Sequence, residues 1–301
     1  MRFRKYSRKH AFNIVYQWDL TGEPLDKVAE SYWHTLETTY KYAEKLSSEL
    51  LEKLDKGDFD IEVYAKKFEA LSEEEILADK LRKTLFKVYL LLKTVEEFHD
   101  LTLTLTEWLS EKNKKRREKA LKILEGLKEI YKNLKKEDNE LGDRIGEILE
   151  FLNSIKVDNN LDFETVKGLE KIFRKKIFDL LKTYLRRAIE FSRKRVSEDM
   201  GEIKEYATKL LNAYKEHRLE IDSLIEEFLK GWTLDRLGSV ERNLLRLGVA
   251  EFSYVGVNDP GRAFNDYIDF AKALVDKKAA KFVNGVLSAI YNKKLKEKGD
   301  E

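Results

Sequence analysis

The sequence contains no cysteine, only two prolines and 14 glycines among its 301 residues. Without thiols the chain can form no disulfide bond and offers no thiolate ligand to a metal. This is typical of proteins in a reducing compartment, so we predict a cytoplasmic location. Proline and glycine are the residues that most often interrupt helices, so few interruptions are expected. Frequent lysine, glutamate and leucine complete a composition that predicts an all-α fold.

Long apolar runs are also missing. The longest extends over five residues, from Val88 to Leu92, whereas a helix needs about 20 apolar residues to cross a bilayer. The basic N-terminus is not followed by the apolar core of a signal peptide. Hydrophobic residues nevertheless make up 42% of the chain, so we expect a folded protein with one large domain or two of ordinary size.

Patterns typical of catalytic or metal sites are absent as well. The four histidines, at positions 10, 34, 99 and 217, are far apart, and none has a second histidine four residues later. The sequence contains neither a phosphate-binding loop nor the glycine fingerprint of dinucleotide-binding proteins. Carboxylates are plentiful, but they lie on charged helical faces, where solvation is their ordinary role. We therefore expect a protein that is not an enzyme and that has no metal or cofactor.

Helical periodicity is what the sequence does contain, and it is clearest between residues 231 and 291. Apolar residues recur there at spacings of three and four in three successive stretches, which predicts three short helices. They are Val240, Leu244, Leu245, Leu247, Val249 and Phe252 in the first stretch, Phe264, Tyr267, Ile268 and Ala271 in the second, and Phe282, Val283, Val286 and Ile290 in the third. Pro260-Gly261 separates the first two helices. We place Asn284-Gly285 within the third helix, where Gly285 would permit a close approach.

The N-terminus carries a cluster of basic residues without any acidic residue among them. The cluster consists of Arg2, Arg4, Lys5, Arg8 and Lys9. An apolar helical face follows directly, so the cluster belongs to the start of an amphipathic helix. A turn at residues 21–24 and a second helix from Leu25 to Leu36 come next. From composition alone the basic cluster is either a solvated tail or an arm that binds phosphate groups.

The middle of the chain, residues 37–201, also has the local pattern of helices. It contains 35 basic and 35 acidic residues, so the net charge of +2 comes from the flanking segments. We predict a helix start with a capping box at Ser72 and Glu75. The threonines at 102, 104 and 106 alternate with leucines in the manner of a strand, but we expect a helix or a linker there because helical patterns surround them.

Two further helices are predicted in this middle segment. One is a strongly charged helix from Lys114 to Lys136, and the other is a long helix that Asp162 opens and that runs to about Val196. Their apolar stripes are narrow, which is typical of a bundle or a hairpin of long helices.

The two ends of the chain resemble the NusB family of bacterial transcription antitermination factors. The motifs that carry the resemblance are Arg4-Lys5-Tyr6-Ser7-Arg8-Lys9-His10-Ala11, Trp232-x-x-x-Arg236-Leu237, Val240-Glu241-Arg242-x-x-Leu245-Arg246-Leu247, Glu251 and Lys281-Phe282-Val283-Asn284-Gly285-Val286-Leu287. They cover about 130 residues in two pieces. The sequence departs from the family by a one-residue deletion after Pro260 and by Asp266 in place of the usual glutamate.

The resemblance implies an all-α fold with two parts. Residues 1–36 and 202–301 would form a NusB-like RNA-binding domain, and residues 37–201 would be an inserted all-helical region. Proteins bind single-stranded RNA through cations on phosphates and through aromatic rings under the bases. The resemblance assigns RNA binding to Arg4, Lys5, Arg8, Tyr16, Glu241 and Phe282. For Tyr16 and Phe282 the alternative is that they are plain core aromatics.

The resemblance also implies a function and partners. NusB proteins bind boxA-type RNA together with the ribosomal protein NusE and act in the transcription elongation complex. Since the family includes dimers, a homodimer is a further expectation. One alternative is a structural or interaction protein that uses the NusB-like part as a docking module. Another is a remnant of the RNA-binding domain of a ribosomal RNA methyltransferase, although such enzymes need a methyl-donor domain and a nucleophilic cysteine that this chain lacks.

Overall fold

The computed structural model of the chain describes residues 3–229 and 231–299. All of its regular elements over those residues are helical, which confirms the predicted all-α fold. The first seven are α1 (Arg4–Thr21), α2 (Leu25–Lys56), α3 (Ile61–Glu73), α4 (Asp79–Glu111), α5 (Lys114–Glu137), α6 (Gly142–Ser154) and α7 (Phe163–Lys194). After a π-helical turn (Arg195–Asp199) come α8 (Met200–Glu216), α9 (Arg218–Glu227), a 3-10 turn (Leu234–Arg236), α10 (Ser239–Ala250), a second π-helical turn (Glu251–Val255), α11 (Pro260–Leu274) and α12 (Lys277–Gly299).

The chain divides into two compact units. Unit 1 comprises Met1–Glu37 and Arg195–Glu301, and unit 2 comprises Thr38–Lys194. The division drawn from the sequence placed the boundaries after residues 36 and 201, whereas those of the structure follow residues 37 and 194. Neither boundary of the structure falls in a loop, since one lies within α2 and the other between α7 and the first π-helical turn.

The second helix is much longer than the sequence analysis predicted. Its expected end at Leu36 is wrong, because α2 continues to Lys56. The apolar face continues at helical spacing through buried side chains, which are Tyr40, Ala43, Leu46, Leu50 and Leu54. The first residue that can end this pattern is Gly57, whose φ of 70° is a conformation that favours glycine at helix ends.

Unit 2 has its own hydrophobic core, built around α4, which packs against α3, α5 and α7. The rings of Phe98 and Phe173 stack with their centroids 3.9 Å apart. Tyr131 meets Phe173 edge-on at 6.3 Å, and its hydroxyl is hydrogen-bonded to that of Thr94 at 2.7 Å. Because these contacts join residues far apart in sequence, they fix the arrangement of α4, α5 and α7.

Most helix predictions for this segment are confirmed. The charged helix is α5, and Asp162 opens α7 by accepting a hydrogen bond of 2.7 Å from the amide of Thr165. The alternating threonines lie inside α4. The capping box at Ser72 is wrong, since Ser72 lies in the last turn of α3 and its hydroxyl donates to the carbonyl of Glu69 at 2.7 Å. The buried face of α3 extends through Leu71, so the helix runs past the serine.

In unit 1, α1 packs against α8, α10 and α11, and α12 packs against α10 and α11. Asn284-Gly285 lies within α12, as predicted. The close approach expected at Gly285 is wrong, because a Cβ there would meet nothing within 4 Å. The close approach occurs at Gly248 of α10, where a Cβ would lie 2.7 Å from a methyl carbon of the fully buried Leu287. The packing of α10 on α12 therefore depends on Gly248.

A buried histidine lies between α1 and α2. The Nδ1 atom of His10 is 2.7 Å from the hydroxyl oxygen of Tyr32, and its ring is 5.6 Å from that of Trp33. Burial, helped by the positive charges of Lys9 and Arg195, lowers the pKa of His10 to about 3. The imidazole is therefore neutral in the folded protein at neutral pH.

This histidine should make the protein less stable in mild acid. Between the ordinary pKa of 6.5 and the folded-state value of about 3, only the unfolded chain binds the proton, so the free energy of unfolding falls as the pH falls. From pH 7 to pH 5 the loss should be about 2 kcal/mol. We expect urea unfolding of His10→Gln to lack this component of the pH dependence. His34→Gln, at an exposed position of α2, should keep it, and equal pH dependence in both variants would contradict the assignment.

Candidate nucleic-acid interface

The basic cluster at the start of α1 is divided between surface and interior. Arg2 lies outside the described residues. The guanidinium carbon of the half-buried Arg4 is 3.3 Å from the centroid of the Tyr206 ring, a cation–π contact that orients the side chain. The side chain of Lys5 is 50% exposed, and its ammonium lies 2.9 Å from the carboxylate of Asp269, whose side chain is 59% exposed. Arg4 and Lys5 therefore remain at the surface.

Arg8, in contrast, is 3% exposed. Its Nη2 donates to Oε1 of Glu251 at 2.6 Å, its Nε donates to Oε2 of the same carboxylate at 2.8 Å, and its Nη1 donates to Asp266 at 2.7 Å. All three guanidinium nitrogens are thus engaged by buried carboxylates. This geometry corrects the expectation that Arg8 binds RNA phosphate, because the side chain is committed to the core of unit 1.

Glu251 is the centre of this cluster and has no exposed surface. It also accepts hydrogen bonds from the hydroxyls of Tyr206, at 2.5 Å, and Tyr267, at 2.7 Å. Burial disfavours the charge of Arg8, but the hydrogen bond and charge of Glu251 outweigh it and raise the pKa of Arg8. Burial and the adjacent carboxylate raise the pKa of both tyrosines. The cluster therefore joins α1, α8 and α11 to the π-helical turn that Glu251 begins.

A second ion-pair cluster holds the other end of α1. Asp19 accepts hydrogen bonds from Arg242 at 2.6 Å, from Asn243 at 3.0 Å and from Arg246 at 3.0 Å. Arg246 also donates twice to Asp222 of α9, at 3.0 Å each. Burial opposes the charge of Asp19, but the bonds from Arg242 and Asn243 prevail and lower its pKa. The arginines of the Val240–Leu247 motif therefore hold α1 against α10 and α9.

The remaining predicted residues lie at or near the surface. Tyr16 is half-buried, with its ring 5.7 Å from that of Phe12, and Glu241 is half-buried in the first turn of α10. Phe282 is 36% exposed, whereas its neighbour Val283 is fully buried. Among the described side chains, no hydrogen bond, ion pair or ring contact joins Tyr16, Glu241 and Phe282.

Sequence reasoning missed the partners of Arg8. Glu251 was recognised only as a member of a motif, and the two residues are 243 positions apart in the chain. One signal was available: an acidic residue directly after the apolar run of α10 is rarely buried unless a partner neutralises it. The sequence could not identify that partner, because no local periodicity connects α1 to α10.

A small cavity of ≈ 80 Å³ adjoins this cluster. It is lined by Arg4, Tyr206, Asn258 and Arg262, and Arg262 is in the first turn of α11. Asp259 caps that helix by accepting from the amide of Arg262 at 3.0 Å. Arg262 thus brings a second cation close to Arg4. Sequence reasoning assigned no role to Arg262.

Two further observations concern the described part of the chain. None of its helices combines the length and the apolar character that a membrane span requires. No three side chains of the histidine or carboxylate type come together there in a way that would hold a metal ion.

Comparison with known proteins shows similarity to one family. The model of the NusB family matches residues 164–292, so the match begins within α7. The transcription antitermination protein NusB of Aquifex aeolicus is 60% identical over 87 residues, which are 29% of this chain and 59% of that protein. The NusB proteins of Shouchella clausii and an Exiguobacterium species are 40% and 36% identical, over 75% and 91% of their lengths and 33% and 41% of this chain. The chain thus spans only 59% of the Aquifex protein.

Two solved structures also match part of the chain. One is a crystal structure of antitermination factors NusB and NusE in complex with dsRNA. The matched chain of that structure is 44% identical in sequence, and the match covers 38% of this chain and 85% of the matched chain, with a TM-score of 0.29. A solution structure of NusB from Aquifex aeolicus is 29% identical, and the match covers 68% of this chain and 90% of that one, also with a TM-score of 0.29.

The buried cluster predicts unequal effects for two cations of the same helix. Arg8→Ala leaves the carboxylate of Glu251 buried without its guanidinium and should lower the free energy of unfolding by about 3–5 kcal/mol. Lys5→Ala removes an exposed pair with Asp269 and a longer contact of 3.8 Å with the buried Asp266, and it should cost only about 1 kcal/mol. Denaturant unfolding followed by circular dichroism measures both. Similar losses in the two variants would show that Arg8 is not held as the structure describes.

Proposed function

The chain belongs to the NusB family, and we propose that it acts as a transcription antitermination factor. It binds boxA-type single-stranded RNA together with the ribosomal protein NusE, within a transcription elongation complex, and no catalytic step is involved. The proposal is supported by the relatives, which are named as antitermination proteins and are 36–40% identical over 75–91% of their lengths. The family motifs lie in unit 1, so we assign RNA binding to that unit.

The exposed part of the α1 cluster is the observation that carries RNA binding. Lys5 pairs with Asp269 at the surface, and such exposed pairs contribute less than about 1 kcal/mol, so a phosphate can replace the carboxylate. Arg4 is oriented by Tyr206 while remaining partly open. Arg8 fixes the helix that carries both. The division between an anchoring arginine and two surface cations fits an arm that must hold its shape while it contacts a phosphate backbone.

Phe282 supports the second element of RNA recognition. Its ring is partly exposed on α12, although the neighbouring Val283 and Leu287 are fully buried. A base can stack on such a ring without displacing core side chains. The packing of α12 against α10 and α11 holds the ring in position.

A protein partner is supported by apolar side chains at the surface of unit 1. Large exposed examples are Leu20, Leu219, Trp232 and Leu274. Single exposed apolar groups are common, and a protein partner would cover those of this unit that lie together in one patch. We propose NusE as that partner, with a second copy of this chain as the alternative occupant. Size-exclusion chromatography with and without NusE distinguishes the two occupants. A complex with NusE raises the mass only when NusE is added, whereas a homodimer has twice the mass of the chain without it.

Salt dependence tests the RNA-binding arm. Each phosphate contact contributes about 0.7 to the slope of log K against log salt for a single strand. The double variant Arg4→Ala/Lys5→Ala should therefore lower the slope for a boxA-type oligonucleotide by about 1.4, as two contacts are lost. A matched control is Lys27→Ala/Lys215→Ala, which removes two exposed, ion-paired lysines of unit 1. The control should keep the wild-type slope. Equal slopes in both variants would show that Arg4 and Lys5 do not contact phosphates and that the arm is a solvated tail.

Phe282 can be tested for stacking against packing. Phe282→Ala should weaken binding of the same RNA by about 1–3 kcal/mol while leaving the melting temperature nearly unchanged. Leu287→Ala is the matched change at a fully buried position of α12, and it should cost about 2–5 kcal/mol of stability. A melting temperature that falls as far in Phe282→Ala as in Leu287→Ala would identify Phe282 as a core residue.

A further inference from the structure

Charge is strongly segregated within unit 2. Residues 38–194 carry 34 basic and 32 acidic residues, a near balance that hides the distribution. In contrast, α5 and α7 each carry ten basic and four acidic residues. Between residues 171 and 187 of α7 there are seven basic residues and a single acidic one, Asp179. The middle of α7 is therefore a positively charged segment.

The arrangement of these charges opposes helix stability. Other helices of unit 2 pair opposite charges one turn apart, as in Lys56 with Glu52 and Lys66 with Glu62, both at 2.7 Å. The middle of α7 instead places like charges four residues apart, as in Lys171 with Lys175 and Lys182 with Arg186. Like-charged pairs at this spacing destabilise a helix. Solubility alone does not require them, so the clustering calls for a binding partner of opposite charge.

A groove between α6 and α7 collects the cations. It has a volume of ≈ 780 Å³, and Arg144 of α6 and Lys175, Lys176, Lys182 and Arg186 of α7 line it together with Glu147 and Asp179. Two of the cations have carboxylate partners, since Lys176 lies 3.5 Å from Glu147 and Lys182 lies 2.5 Å from Asp55. The lining therefore holds five positive and two negative side chains.

The other three cations of the groove are available to a ligand. Arg144, Lys175 and Arg186 are exposed. Within unit 2, all of which the structure describes, no carboxylate lies within ion-pair distance of them, and Arg186 only helps Lys182 to lower the pKa of Asp55. Arg144 is oriented by a hydrogen bond of 2.9 Å from its Nη1 to the hydroxyl of Thr183, across the two helices. This bond fixes the α6 side of the groove opposite the cations of α7.

The spacing of the cations indicates an extended polyanion. Lys182 and Arg186 follow Lys175 by seven and eleven residues, so the row is about 16 Å long at 1.5 Å per residue. A single phosphate or carboxylate reaches at most neighbouring positions such as Lys182 and Arg186, whereas a nucleic-acid backbone can follow the whole row. No aromatic ring lines the groove, so the bases have no stacking surface and binding is independent of sequence.

An acidic protein segment fits less well. A protein interface needs an apolar core as well as charge, and the apolar residues of the groove are Ile148, Ile172 and Leu180. Ile148 and Leu180 are buried, and only Ile172, at 46%, is exposed. We infer that this basic groove of unit 2 binds the phosphodiester backbone of RNA. The inference goes beyond the proposed function, which assigns RNA recognition to unit 1.

The test compares two triple variants of the full chain with the same loss of charge. The groove variant is Arg144→Gln/Lys175→Gln/Arg186→Gln. The control is Lys45→Gln/Lys53→Gln/Lys67→Gln, which changes exposed lysines of α2 and α3. Binding of a 30-nucleotide oligo(U) RNA is measured as a function of salt. In the groove variant the fall of log K with log salt should be less steep by about 2. If the variant and the wild type bind equally at 1 M salt, the variant should bind about 100-fold more weakly at 0.1 M salt.

The control variant should keep the wild-type slope, and an RNA of mixed sequence should give the same difference between the variants. If the groove variant binds oligo(U) as the control does, the inference is overturned. A short boxA-type RNA is titrated in parallel. Failure of the wild-type protein to prefer it over oligo(U) counts against the proposed function and leaves the groove result unaffected. Melting temperatures no lower than that of the wild type show that both variants are folded.

Discussion

The carboxylate of Glu251 lies in the interior of unit 1, without exposed surface, and is bonded to one guanidinium and two tyrosine hydroxyls. A buried charge of this kind is strongly destabilising unless it is paired and its remaining lone pairs are satisfied. Arg8 can pair with it only if α1 lies against the helices at the other end of the chain. Unit 1 can therefore fold only with α1 packed in this position. The residues of unit 2 lie between Arg8 and Glu251 in the sequence, but they do not prevent this contact.

The same constraint divides the cations of the family motifs into those that hold helices together and those that stay at the surface. Arg8, Arg242 and Arg246 all belong to motifs that suggest RNA binding, yet their donors are directed to buried or half-buried carboxylates. The cations left at the surface, Arg4 and Lys5, have weak or adaptable contacts. A motif of this family therefore contains residues held in the core and others left at the surface, and only burial distinguishes them.

The sequence predicted much of the fold because its helices follow strong local rules. The long helix opened by Asp162 and the charged helix α5 were correctly placed from caps and periodicity. Predictions failed where tertiary contacts decide. Serine is a residue type that often caps helices, but the buried face of α3 includes Ser72, so the helix does not begin there. Gly285 is inside a helix as expected, yet the close approach occurs at Gly248, which only the packing of α12 reveals. The role of Arg8 depended on a partner 243 residues away, and the charge of α7 was hidden by the balance of the whole middle segment.

A double-mutant cycle between Arg8 and Glu251 tests the central claim most directly. The single variants Arg8→Met and Glu251→Gln and the double variant are compared by denaturant unfolding, which isolates the energy of the pair from that of either side chain. The structure predicts a coupling energy of at least about 2 kcal/mol, near the upper end of values for residues in contact. A coupling energy near zero would show that the two side chains do not interact in the folded protein, and the account of how α1 is held would be wrong.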